Sequence, residues 1–257
     1  MSLQIRGLHK TYGTQHVLRD VDLTIDTGQF VSLIGHSGCG KSTLLGAVGG
    51  LVTPDGGTIT LDGTPVTEPG PDRAMVFQSY SLLPRLSLLQ NVREAVKEAR
   101  PDRTRSWVDE MTERYLGAVG LWEHRHKKPA QVSGGMAQRT AVARAFAVSP
   151  RILLLDEPFG ALDALTRARL QQQLIELWGN ESDTETVIMV THGIDEAVLL
   201  ADRVVVMANP PFASVREVFD VPIPRPRDRA TVGDHAAYKD IQHQLLAILA
   251  EDQLVAA

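Results

Sequence analysis

Gly35-His36-Ser37-Gly38-Cys39-Gly40-Lys41-Ser42-Thr43 follows the apolar run Gln29-Phe30-Val31-Ser32-Leu33-Ile34 and precedes Leu44-Leu45-Gly46-Ala47-Val48. Strand, glycine loop and helix form the context in which the spacing GxxxxGK[ST] holds a phosphate chain. The glycines let successive backbone N–H groups turn inward around an anion. The helix that follows aims its positive dipole end and its unpaired amides at the same point. Gly35, His36, Ser37, Gly38, Cys39 and Gly40 thus form a candidate cradle, with Thr43 closing the motif. Lys41 can reach the β- and γ-phosphates, and the Ser42 hydroxyl can hold Mg2+. A glycine turn that binds nothing is the alternative, and the Lys-Ser pair with both flanking elements weighs against it. The implied ligand is a nucleoside triphosphate.

A magnesium-bound triphosphate also needs a carboxylate on a neighbouring strand. Asp156, at the end of Leu153-Leu154-Leu155, can hold the metal directly or through water. The adjacent Glu157 can position or deprotonate an attacking water. The competing reading of an Asp-Glu pair at a strand end is a solvated turn. Ser133-Gly134-Gly135, at the head of an alanine-rich segment, forms another anion site: Ser133 caps and the glycine amides face a phosphate. Alone it reads more readily as a plain helix start. Beside a complete phosphate loop, it suggests ATP held between two subunits. Cys39, at a helix start, reads as a thiol whose alkylation would block ATP and which ATP would protect.

Several elements must position these groups. Leu3-Gln4-Ile5, residues 17–23, Thr58-Ile59-Thr60-Leu61 and Ala74-Met75-Val76-Phe77 read as strands. From Leu88 to Val148 the character is helical, with segments at 91–99 and 106–119, and Trp107, Met111 and Tyr115 form a core stripe. Strands resume at 152–155, 186–190 and 203–207, with helices at 164–178 and 194–201 between them. This alternation predicts a mainly parallel sheet with crossover helices and ligands at the strands' carboxyl ends. The proline-rich segment 221–229 should run extended along the surface. Residues 236–254 form a last amphipathic helix through Ile241, Leu245 and Leu249.

Composition bounds the classes. The chain has 257 residues, 43% hydrophobic and 22% charged, as in ordinary globular domains. No apolar run approaches the about eighteen residues of a membrane helix, and the amino terminus lacks a secretory pattern, so a cytoplasmic location is expected. One cysteine excludes an internal disulfide and a multi-cysteine metal site. A net charge of −5 suggests no nucleic-acid partner. The run Glu123-His124-Arg125-His126-Lys127-Lys128 reads as a solvated loop.

These motifs, in this order, resemble the ATP-binding cassette subunit of ABC transporters, from Leu3 to about Arg229. The resemblance implies an α/β fold: a P-loop NTPase core with a mainly parallel sheet, an N-terminal antiparallel β part and an inserted helical subdomain at about 86–148. The cassette should span 1–220, followed by an extended Pro/Arg segment and C-terminal helix over 221–257. By resemblance, Tyr12 stacks on adenine, Gln78 senses magnesium and water at the hinge of the helical subdomain, and Gly160-Ala161-Leu162-Asp163 is the D-loop. Asp163 then communicates across the interface and His192 contacts the γ-phosphate. Catalytic roles fall to Glu157, His192, Gln78 and Asp163, and the magnesium ligands to Ser42, Gln78 and Asp156.

The resemblance also implies partners. Two cassettes, identical or paralogous, bury two ATP molecules head to tail, each between one phosphate loop and the other's Ser133-Gly134-Gly135. A separate membrane permease docks near Gln78 and the apolar stretch 80–89, with a periplasmic or lipid-anchored solute-binding protein beyond it. The ATPase then lies on the inner face of the plasma membrane. Val132 and Met136 depart from the signature's usual Leu and Gln, and Gly193 replaces the Asp common after the histidine. Methionine at 136 is familiar in importers of the nitrate, sulfonate and taurine group. His36, where sulfonate and taurine relatives usually have proline, points within it to nitrate-type importers. The rivals are a non-transport ABC ATPase and a P-loop kinase or GTPase, which would lack Ser133-Gly134-Gly135 and the His192 switch.

Overall fold

Alternating side chains make the first twenty-six residues a long hairpin. In the computed structural model, β1 (Ser2–Tyr12) pairs antiparallel with β2 (Gln15–Asp26), Leu3 opposite Ile25 and Ile5 opposite Leu23, all buried. The structure describes residues 2–160, 162–181, 184–209 and 213–255, and Ala161 of the expected D-loop lies outside them. The chain continues through β3 (Phe30–Ile34), α1 (Lys41–Val48), β4 (Gly56–Leu61), β5 (Thr64–Pro65) and β6 (Arg73–Val76). Then come α2 (Leu88–Ala99), α3 (Arg105–Ala118), α4 (Gly134–Ala147), β7 (Ile152–Asp156), α5 (Ala164–Glu176) and β8 (Thr186–Val190). It finishes with α6 (Ile194–Leu200), β9 (Arg203–Met207), β10 (Val215–Asp220) and α7 (Ala236–Val255). No helix among the described residues is long and apolar enough to cross a membrane.

Two units result, Met1–Gly70 with Thr186–Ala257, and Pro71–Glu185. In the first, β2, β1, β4 and β5 form the antiparallel sheet. Beside it runs the order β10-β9-β3-β8, in which β9, β3 and β8 are parallel and β10 is an antiparallel edge. Every residue of β3 and β8 is buried, which is why both read as continuous apolar runs. Burying one such Val, Ile or Leu contributes about 1.5–3 kcal/mol. Leu33 stands opposite Val190 and Val205, so these strands end level with one another.

The second unit is built on β6 and β7, parallel with Val76 opposite Leu155. Helices α2, α3 and α4 pack on one another, with Tyr115 stacked on Phe146 at 6.2 Å. Ser87 and Gln90 form a reciprocal cap that starts α2. Of the expected stripe, Met111 and Tyr115 are buried, whereas Trp107 is half-exposed beneath the Arg103 guanidinium.

Two features depart from expectation. β10 carries little periodic signal because, as an edge strand, it has exposed or half-exposed side chains throughout. The segment 221–229 does lie along the surface, with six of its nine residues exposed, but Arg227 anchors it inward. Arg227 is 5% exposed, and its guanidinium donates to the carbonyls of Val198, Leu199, Ala201, Val221 and Ile223. Burial holds its pKa below the usual arginine value, opposed by Asp202. A buried arginine satisfied by carbonyls leaves no local pattern, since its partners are backbone atoms.

Candidate functional site

At the end of β3 the chain turns at Gly35, with φ 151°. A Cβ there would lie 2.8 Å from the Cys39 sulfur and 2.9 Å from the Met207 carbonyl oxygen, so only glycine fits. Gly40 precedes α1 at φ 85° and makes no side-chain cap. The first-turn amides of α1 are therefore served by no capping side chain, as an anion site requires. Ser37, Gly38 and Ser42 are exposed along the crest, with Thr43 half-buried beside them.

Lys41 is 5% exposed, and its Nζ donates to the carbonyls of Gly35 at 2.8 Å and His36 at 2.9 Å. A phosphate oxygen competes well for that ammonium, because a charge-assisted bond is about twice as strong as one to a neutral acceptor. The Cys39 thiol is fully buried, 3.6 Å from the Lys41 nitrogen. This corrects the alkylation expectation: a reagent must first open the loop. The His36 ring leaves the loop altogether, its Nε2 donating to the Leu249 carbonyl at 2.9 Å.

β8 brings His192 to the same end of the sheet. Thr191 donates its amide to the Leu33 carbonyl, and His192 follows, exposed. The Thr191 hydroxyl accepts from the Gly193 amide and donates to Glu196 at 2.5 Å. That pairing serves the start of α6 where the usual aspartate is missing. A Cβ at 193 would meet the Glu196 side chain at 3.0 Å. Tyr12 is half-exposed at the end of β1, its ring 5.2 Å from the Lys10 ammonium. Lys10 is in turn fixed by Asp55, whose carboxyl is held below the usual range by the Thr11 amide and by Lys10.

The second unit repeats the logic. Because β6 and β7 are neighbours in register, Gln78 and the Asp156–Glu157 pair emerge side by side. Gln78 Nε2 donates to Glu157 Oε2 at 2.9 Å. The Gln78 amide oxygen is thus the group left to serve a metal or a water. Glu157 occupies the left-handed region at φ 47°. For a non-glycine residue this costs about 1–3 kcal/mol, and such strain collects at functional sites.

Ser133 caps α4, its hydroxyl accepting from the Met136 amide at 3.3 Å, and Ser133 and Gly134 are exposed. Gly135 packs on the head of α5: a Cβ there would lie 2.7 Å from the Thr166 methyl. Asp163 caps α5 by accepting from the Leu165 and Thr166 amides. The Thr166 hydroxyl and amide together hold its carboxyl below the usual range. The signature loop and Asp163 therefore share one corner.

Three supporting residues carry no local sequence signal. Arg144 donates to the Ser81 carbonyl at 2.7 Å and to Tyr80 at 3.2 Å, securing two left-handed residues just after Gln78. Asn91, buried, binds the backbone of Leu83, Leu86 and Ser87 and shapes the rest of that loop. A pocket of about 320 Å³ lies between this loop and the head of α4, lined by Ser79, Tyr80, Leu82, Val132, Ser133 and Gly134. Buried Arg227 is the third.

No cluster of three or more His, Cys, Asp or Glu suited to a metal occurs among the described residues. The Ser42 hydroxyl, the Asp156 carboxylate and the Gln78 amide oxygen are hard oxygen donors. Donors of this type suit Mg2+, which keeps waters and substrate phosphates as ligands.

Known proteins resemble this chain over most of its length. The nitrate import ATP-binding protein NrtD of Synechococcus elongatus is 49% identical over 92% of this chain and 86% of its own length. The bicarbonate transport ATP-binding protein CmpD of Synechocystis sp. is 45% identical over 96% of this chain and 88% of its own. A solved ATP-binding cassette, dimeric in a post-hydrolysis state with ADP and Pi, superposes with TM-score 0.76 at 30% identity, covering 86% of this chain and all of that one. The ABC transporter family model matches residues 18–160, from β2 through the phosphate loop and signature to just beyond Glu157. With its glycine loop, signature helix and strand-end carboxylates all inside that span, this chain belongs to the ABC transporter family.

Proposed function

We propose that this chain is the ATP-hydrolysing subunit of an importer for a small inorganic oxyanion, nitrate first. The observation that carries the ATPase reading is the Gln78–Glu157 hydrogen bond, with Glu157 held in a strained backbone conformation. It fixes a carboxylate beside an amide at the carboxyl ends of two adjacent parallel strands, as a water-positioning pair requires. The phosphate loop binds the triphosphate, with Lys41 exchanging its carbonyl partners for phosphate oxygens. Tyr12 stacks on the base. Glu157 orients the attacking water and takes its proton, while Gln78 holds the carboxylate in place. His192 contacts the γ-phosphate. Magnesium, when held by Ser42, Asp156 and Gln78, neutralises charge on the phosphate oxygens.

Ser133 and Gly134 are exposed at the head of a helix, with Gly135 half-buried beside them. They complete the site of a second cassette, so the working form is a dimer. Asp163, in the same corner, relays between the two sites. The partner is an identical copy or a paralogue. The organism of the relative NrtD also has a second nitrate import ATP-binding protein, NrtC, 48% identical over 98% of this chain, which spans 38% of it. The loop after Gln78 meets a membrane permease through exposed Leu83 and the adjoining pocket. A solute-binding protein delivers the anion on the far side.

Nitrate is favoured over bicarbonate by the higher identity to the nitrate protein, and over sulfonates and taurine by His36. Reconstitution with a membrane permease and a solute-binding protein tests both parts. ATP-dependent uptake of labelled nitrate supports the reading, and uptake of bicarbonate, a sulfonate or taurine alone redirects the substrate. ATP turnover per chain that is indifferent to dilution refutes the dimer.

A further inference from the structure

One side chain of the 35–43 loop bonds a helix far along the chain. His36 reaches out to α7, and its Nε2 must carry the hydrogen, because the Leu249 carbonyl can only accept. The far end of α7 is fixed independently. Arg216 of β10 pairs with Glu251 at 2.8 Å and with Asp252, which is 7% exposed. Asn209, just after β9, donates to the Asp252 carbonyl at 2.6 Å. Nearer its start, Ile241 and Leu245 are buried and Gln242 bonds Asp195 of α6. The helix is thus held along its length by α6, by β10 and by the residue two past the end of β9.

From this arrangement we propose that α7 positions the phosphate loop for ATP, with His36 as the positioning residue. The inference rests on the reading of 35–43 as an ATP site. The His36 carbonyl accepts from Lys41 Nζ and from the Cys39 amide, so His36 is the node at which the loop's own turn and its lysine meet. Tethering its ring to a fixed helix removes freedom from a glycine-rich segment that would otherwise lose it on binding. A preorganised loop binds more tightly without any new contact to the ligand. The 221–257 segment is then part of the catalytic unit's working geometry, and a change in the packing of α7 alters ATP affinity from a distance.

The test uses the full chain and a non-hydrolysable ATP analogue with Mg2+. His36→Ala weakens analogue binding and raises KM for ATP by roughly two- to tenfold, the range a single net hydrogen bond spans, while kcat changes less. His36→Gln, which keeps a donor of similar reach, restores most of the loss. Arg216→Ala, remote from the loop, also raises KM, yet adds little in the His36→Ala background because both act on one contact. Wild-type affinity in His36→Ala, or full additivity of the two changes, overturns the inference. Absence of analogue binding in the unaltered protein would instead overturn the ATP-site reading on which it stands.

Discussion

Replacing Glu157 with glutamine isolates the proposed chemistry from the fold. The two side chains have the same shape, and a glutamine carbonyl oxygen can still accept from Gln78 Nε2 at the observed 2.9 Å. The strained φ of 47° is inherited unchanged, since neither residue is favoured there. Stability should therefore shift by less than about 1 kcal/mol, the net value of one hydrogen bond. What is lost is the negative charge that takes a proton from water. Removing a positioned base lowers the rate by about 10²–10⁴-fold, or about 3–5 kcal/mol of barrier. The assay is phosphate release per chain at saturating Mg-ATP, with size-exclusion chromatography on the same samples. Glu157→Gln should bind ATP, release almost no phosphate and elute as a dimer with ATP but not ADP. Turnover within about threefold of the unaltered protein would refute Glu157 as the base. An inactive variant that stays monomeric with ATP would refute the shared site instead.

Gly135→Ala should drive the heads of α4 and α5 apart, because the new methyl would lie 2.7 Å from that of Thr166. Overpacking of this kind costs about 1–3 kcal/mol, and ATP-driven dimerisation should need about tenfold more ATP while binding to the single chain is retained. The Asp163 carboxyl, lowered in the folded state, contributes stability that is present above its unfolded pKa and lost as pH falls through the folded one. As pH falls below the ordinary aspartate range, the melting temperature of the unaltered protein should fall more steeply than that of Asp163→Asn, and parallel curves would show that the cap is not charged. Cys39 should react slowly with maleimide whether or not Mg-ATP is present, since its thiol is fully buried. Rapid labelling that ATP suppresses would show that the loop opens readily.

The sequence made the chemistry legible because phosphate binding uses contiguous residues. A glycine loop, a lysine and a helix start lie next to one another at 35–43, and the buried strands β7, β8 and β9 announce themselves as unbroken apolar runs. The pairing of Gln78 with Glu157 was not readable. It depends on β6 and β7 lying side by side in one register, and register is decided by packing rather than by either strand alone. Trp107 shows the same limit from the other side: its spacing fits the buried stripe, yet it lies half-exposed under Arg103.

Local pattern thus determined which residues could hold a triphosphate, and in what order they occur. Tertiary structure alone decided that Arg144 supports the loop after Gln78, that Arg227 is buried among carbonyls, and that His36 is tethered to Leu249. In each of these a side chain finds a backbone carbonyl distant in sequence. Every residue offers the same carbonyl, so nothing in the amino-acid code distinguishes the one that will be met, and only the packed chain selects it.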